Sequence, residues 1–215
     1  MSTAREEILG RIRAAVGTAP DRVAYTQVPR GYQRTGSLDR EACLHLLKDR
    51  LLDYDSEIFE VQSEAEITGA VTEALQRAGE RNVLVAEAFP KAWLPSGVDV
   101  VVDAALTTEQ LDGLGTVLTT CEAAVASTGT IILVHEGAQG RRAITLLPDH
   151  HICVLSRAQV FEVVPEALAA INARSRKAIT TISGPSATSD IEMTRIRGVH
   201  GPRRLSVVLY GSVGV

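Results

Sequence analysis

The sequence predicts an α/β protein built on a mainly parallel sheet flanked by helices, with an antiparallel strand subset. Three observations lead there. From Ser37 onward, short Val-rich runs apolar on both faces alternate with helical periodicities, as strands buried beneath helices do. After Gly129 the connections between apolar runs shrink to a few turn-forming residues, which favours antiparallel pairing. The 215 residues are 45% hydrophobic and 22% charged with only 4% aromatics, enough for a sizeable aliphatic core in one α/β unit.

Taken in order, Ala4, Ile8, Ile12 and Val16 recur every fourth residue and place one apolar stripe on a short helix that stops near Gly17. Residues 18–36 hold Pro20, Pro29, Gly31 and Gly36 without periodicity, and read either as a loop wrapping the body or as a disordered connection. The domain expectation is therefore an N-terminal helix and linker over 1–36 and an α/β domain over 37–215. Residues 39–52 read as a helix and 57–61 as a strand. Ser63 and Glu66 fit a capping box opening a helix that Gly79 closes. Residues 82–86 and 98–102 are strands on either side of a Pro-bounded loop around Trp93, and 107–114 is a helix. Beyond Gly129, residues 130–135, 142–147 and 152–155 read as three close strands joined by turns. A helix after Pro165 and strands at 178–183 and 205–210 complete the series.

A net charge of −4 and a pI near 5.8 give no basic face to attract nucleic acid or anionic lipid. Glu6 and Glu7 fall where a signal peptide needs an apolar core, and no apolar run approaches the about 20 residues of a membrane span, so a cytoplasmic location is expected. Cys43, Cys121 and Cys153 form no Cys-x-x-Cys pair and read as buried apolar residues. No complete dinucleotide or P-loop fingerprint is present, since Gly113-Leu114-Gly115 lacks the third glycine. No cofactor is expected in this chain. His150 and His151, adjacent on a strand, point to opposite faces and cannot share a metal.

Three stretches could carry chemistry. Ser183, Gly184, Pro185 and Ser186 follow a β-branched run and lead toward Ser189-Asp190-Ile191-Glu192; a glycine loop between strand and helix exposes N–H groups where a carboxylate or phosphate can dock. Ser189 with Glu192 equally forms a capping box that needs no ligand. In the second stretch, Thr128, Gly129 and Thr130 offer hydroxyls and close backbone approach, and Glu122 could act as acid or base if buried. A plain helix C-cap at Gly129 and a surface carboxylate at Glu122 explain the same residues. The third is His200 between Gly198 and Pro202, a proton carrier near neutrality or a loop-fixing residue. Arg141, Arg142, Arg203 and Arg204 could receive a carboxylate or simply be solvated. The three stretches are expected to meet in one pocket at the C-terminal ends of the parallel strands, with Glu122, Asp190 or His200 facing the ligand.

Ser183-Gly184-Pro185-Ser186, Ser189-Asp190-Ile191-Glu192 and Gly198-Val199-His200-Gly201-Pro202, in this order and at close spacing, resemble the C-terminal signature of the lactate-utilisation protein C family, the LUD domain. Ala126-Ser127-Thr128-Gly129-Thr130 and Leu146-Leu147-Pro148-Asp149-His150-His151-Ile152 resemble its Thr-Gly-Thr and Leu-Pro-x-x-His segments. The likeness is strong over the last half of the chain and rests on strand–helix rhythm in the first. It implies a fold similar to ribose-5-phosphate isomerase and the CoA transferases. It also implies membership of a three-protein system that converts L-lactate to pyruvate beside iron–sulfur partner proteins. The family usually has arginine where this chain has Ala187, and commonly alanine where it has Ser189. A grip on an anion by that arginine would have to come from another residue here. The competing expectations are a stand-alone enzyme of the same fold acting on a phosphosugar, CoA thioester or folate-type substrate, and a non-catalytic assembly or regulatory module.

Overall fold

The computed structural model describes residues 3–17, 27–172, 177–188, 196–197 and 201–211. The chain divides into two compact units, Met1–Tyr32 and Gln33–Val215. The first holds α1 (Ala4–Val16), opened by a capping box in which the Thr3 hydroxyl accepts from the N–H of Glu6 and the Glu6 carboxylate accepts from that of Thr3.

The second unit contains α2 (Arg40–Asp53), β1 (Glu57–Glu60), α3 (Ile67–Ala78), β2 (Asn82–Ala86), β3 (Asp99–Asp103), α4 (Thr108–Asp112), β4 (Thr116–Thr120) and β5 (Ala123–Val125). After these come β6 (Thr130–Val134), β7 (His150–Ser156), β8 (Val160–Phe161), α5 (Val164–Asn172), β9 (Ile179–Ile182), β10 (Ala187–Thr188), β11 (Ile196–Arg197) and β12 (Arg204–Tyr210). Six strands form one parallel sheet in the order β1-β12-β7-β4-β2-β3. A second, mixed sheet runs β8-β5-β6-β9, with β6 antiparallel to both β5 and β9. The expected architecture, a mainly parallel sheet flanked by helices with an antiparallel subset, is the observed one.

Alternation along the strands sorts the core into layers. On β7 and β12, Cys153, Leu155, Leu205, Val207 and Leu209 pack with Leu47 and Leu51 of α2 and with Ile131 and Leu133 of the mixed sheet. The even-numbered Ile152, Val154 and Val208 turn the other way, onto Val71, Ala74 and Leu75 of α3. The outer face of the mixed sheet, Ala123, Val125, Ile132 and Val134, is covered by Ala167 and Ile171 of α5.

Three expectations in the middle of the chain need correction. Residues 142–147 are not a strand: Arg142–Thr145 form a 3-10 segment anchored by the fully buried Ile144 against Leu84, Leu111 and Val117. The apolar run beginning at His150 is not a hairpin partner of β6 but a central strand of the parallel sheet, between β4 and β12. The stretch before Gly129, expected to be helical, contains β4 and β5 and a single 3-10 turn at Ala126–Thr128.

Candidate functional site

β9 ends at Ile182, and the turn that follows carries Ser183, Gly184, Pro185 and Ser186 past the start of β12. The N–H of Ser186 donates to the carbonyl of Pro202 at 2.8 Å, tying this turn to the loop that leads into β12. Between them opens a cavity of about 260 Å³, lined by all four turn residues, Gly201, Pro202 and Leu205. Arg142, Thr145, His151, Thr180, Thr181 and Arg204 complete its wall. Two of the three predicted stretches thus share a cavity. The third borders it through a chain of hydroxyls, Thr128 to Thr130 at 2.7 Å and Thr130 to Ser183 at 2.8 Å.

The cavity's place on the sheet differs from expectation. His151, Arg204 and Leu205 stand at the N-terminal starts of β7 and β12, whereas the strand-end rule pointed to the C-terminal edge. The reason is that β9, whose end carries the glycine turn, belongs to the mixed sheet and not to the parallel one.

Gly129 serves packing. It holds φ +60°, and a Cβ there would come within 2.8 Å of the Arg50 Cβ and 3.2 Å of its carbonyl carbon, so its bare face is taken by α2. Gly184 is also left-handed, at φ +77°, and its bare face rests against the Cβ of Tyr54. Glu122 opposes the middle of β6, its N–H donating to the Ile132 carbonyl and its carboxylate accepting from Gln139 at 3.4 Å; it is not among the residues that line the cavity. Asp190 and His200 lie outside the described residues.

The four candidate arginines separate sharply. Arg141 makes a bidentate pair with Asp103 at 2.7 and 2.9 Å, Arg203 faces Asp149 at 3.4 Å, and Arg204 reaches Glu80 at 3.2 Å. Arg142 has no carboxylate partner among the described residues. Its Nη1 donates to the carbonyl and hydroxyl of Thr145 at 3.0 and 3.1 Å, and partial burial lowers its pKa from the ordinary value.

The two histidines also part company, as their strand position requires. His150 faces the α3 side, where Nε2 lies 2.8 Å from the Ser206 hydroxyl and Nδ1 3.4 Å from that of Thr116. Ser206 donates its own proton to Glu57 at 2.9 Å, so it must accept from His150, which puts a ring proton on Nε2. Burial, helped by Arg204, pushes His150 down to about 4. His151 faces the cavity side and is 1% exposed. Its Nε2 meets the Thr119 hydroxyl at 2.7 Å, while Nδ1 is buried with no hydrogen-bond partner. Burial first, then His150 and Arg142, push His151 down to about 3, so its ring is neutral at any physiological pH. Sequence reasoning weighed His151 only as a metal ligand and missed it as a polar wall of a cavity. The signal available was its parity with Cys153 and Leu155, which sends it to the mixed-sheet side.

The three cysteines are buried, as expected. The neighbouring Cys153 thiol and burial raise Cys121 well above the usual thiol value, so it is no nucleophile. Among the described residues, no three His, Cys, Asp or Glu side chains group as a metal site would need, and no helix is long and apolar enough to cross a membrane.

Comparison with known proteins places these features in a family. The LUD domain model matches residues 47–210. The lactate utilization protein C of Deinococcus radiodurans is 43% identical over 97% of this chain and 96% of its own length. Lactate utilization protein C 1 of Bacillus mycoides is 30% identical over 43% of this chain and 42% of its own. A crystal structure of a DUF162 family protein from Deinococcus radiodurans superposes with a TM-score of 0.71 at 42% identity, covering 81% of this chain and all of that one.

Proposed function

Because this chain belongs to the LUD domain family, we propose that it acts in lactate utilisation, as one component of a three-protein system that oxidises L-lactate to pyruvate beside iron–sulfur partner proteins. The observation that carries this reading is the near full-length match to a lactate utilization protein C, at 43% identity. The cavity is its natural point of contact with a small anion, carboxylate or phosphate. Oxidising the carbinol carbon of lactate releases two electrons and two protons, which need a carrier. The cysteines of this chain are buried and lack cluster-binding spacing, so the carrier falls to partners and the chain itself holds no redox cofactor.

Deleting the gene tests the reading. The expected result is loss of growth on L-lactate as sole carbon source, restored by the intact gene; normal growth in a strain with no other lactate dehydrogenase overturns it. Purification tests the division of labour. A colourless isolated chain that co-purifies with cysteine-rich proteins supports it, whereas a stoichiometric flavin or iron–sulfur band, or turnover by the chain alone, contradicts it.

A further inference from the structure

We propose that the cavity beside β9 binds a small 2-hydroxycarboxylate, its carboxylate on Arg142 and its hydroxyl on Nδ1 of His151. This rests on the lactate reading above and assigns its binding step to named residues.

Two residues of one wall keep polar groups to spare for a ligand. A guanidinium carries five donors in a planar fork suited to a carboxylate, and among the described residues Arg142 spends only Nη1, on Thr145. The other three candidate arginines are each held by an acidic side chain, so the cavity offers one uncommitted cation among the described residues. One guanidinium balances a monocarboxylate. A phosphate dianion would leave a charge uncompensated in a partly desolvated site, which is costly.

Nδ1 of His151 supplies the second recognition element. A buried polar atom without a partner costs free energy unless something completes it, and this one belongs to a residue that lines an open cavity. Arg142 and His151 line the same cavity, so the two groups can act on one ligand. The neutral ring presents at Nδ1 either a lone pair or an N–H, according to which partner donates in the Thr119 contact. A hydroxyl both donates and accepts, so it satisfies either tautomer; a methylene satisfies neither. Ile182, Pro202 and Leu205 give the apolar wall that a short carbon skeleton needs, and 260 Å³ has room for a small organic acid.

Calorimetric titration of the purified full-length chain with L-lactate, propionate and inorganic phosphate tests this directly. Lactate is expected to bind, with propionate at least tenfold weaker for want of the hydroxyl, and phosphate weaker than lactate. Arg142→Gln is expected to weaken lactate at least tenfold with an unchanged melting temperature. His151→Phe keeps the ring volume and removes both nitrogens, so lactate and propionate are expected to bind it alike. No binding of lactate, equal affinity for lactate and propionate in the unmodified chain, tighter phosphate binding, or an Arg142→Gln variant that binds normally would each overturn the proposal. If His151→Phe does not fold, the lactate-to-propionate ratio still decides. Growth separates the two levels. Should the deletion abolish growth on lactate while an Arg142→Gln gene that fails to bind restores it fully, the site falls and the role in lactate utilisation stands.

Discussion

His150 and His151 are chain neighbours on one central strand, equally buried, and their surroundings could hardly differ more. On the α3 side, His150 belongs to a closed chain running from Thr116 through the ring to Ser206 and Glu57, with both ring nitrogens engaged. On the mixed-sheet side, His151 has one nitrogen satisfied and one bare beside a cavity that also holds an arginine with no carboxylate partner among the described residues. A polar group with every valence met is architecture, whereas a buried one left incomplete next to open space marks where something else is meant to arrive. One face of the strand closes the fold and the other leaves it open.

The largest test of this contrast uses acid, which should treat the two faces alike in stability. Both rings are held below their reference value of 6.5, so the unfolded chain binds protons that the folded one refuses, and stability falls as pH drops below 6.5. By pH 4 each histidine should have cost about 3 kcal/mol, because every tenfold rise in proton concentration below that reference value weighs against the folded state by about 1.4 kcal/mol. Denaturant melts across that range should show the decline, and a flat profile from pH 7 to 4.5 would mean that the rings are not held neutral. Next comes Leu75→Ala on the closed α3 side of the sheet, where the side chain is fully buried; a loss of about 2–5 kcal/mol is expected, with lactate affinity little changed in whatever remains folded. Smallest is Arg142→Gln, which should move stability by no more than about 0.5 kcal/mol because the side chain is only partly buried and pairs with no carboxylate among the described residues. A destabilisation as large as that of Leu75→Ala would make Arg142 a structural residue and blur the distinction between the faces.

Much of this fold was legible from local pattern. The Val-rich run of β2 and the Gly79 stop after α3 announced themselves because burial on both faces and a left-handed cap leave unambiguous residues behind. Ala123 to Val125 misled for a physical reason: small alanines favour a helix, yet this segment is a strand because β6 and β8 flank it, and neither neighbour is visible in the local sequence. The same holds for the site. The Ser183–Ser186 turn could be found because a glycine-proline pair after a β-branched run has few other readings. That two adjacent histidines face apart was also evident. Which of them would border a cavity depended on where β9 comes to lie, and β9 joins a sheet whose other strands are drawn from earlier in the chain.

The outermost strand of the parallel sheet, β3, has a bearing on how this protein behaves in a crowded cell. Its sequence is Asp-Val-Val-Val-Asp, it pairs on one side only, and Val102 lies exposed. A bare strand edge is a template onto which a foreign chain can add, the first step toward fibrous aggregates. Two aspartates bracket this one, and the second is clamped by Arg141 so that its charge stays at the corner of the sheet. The residue pair Asp103–Arg141 thereby doubles as a gatekeeper, keeping this edge strand from recruiting strangers.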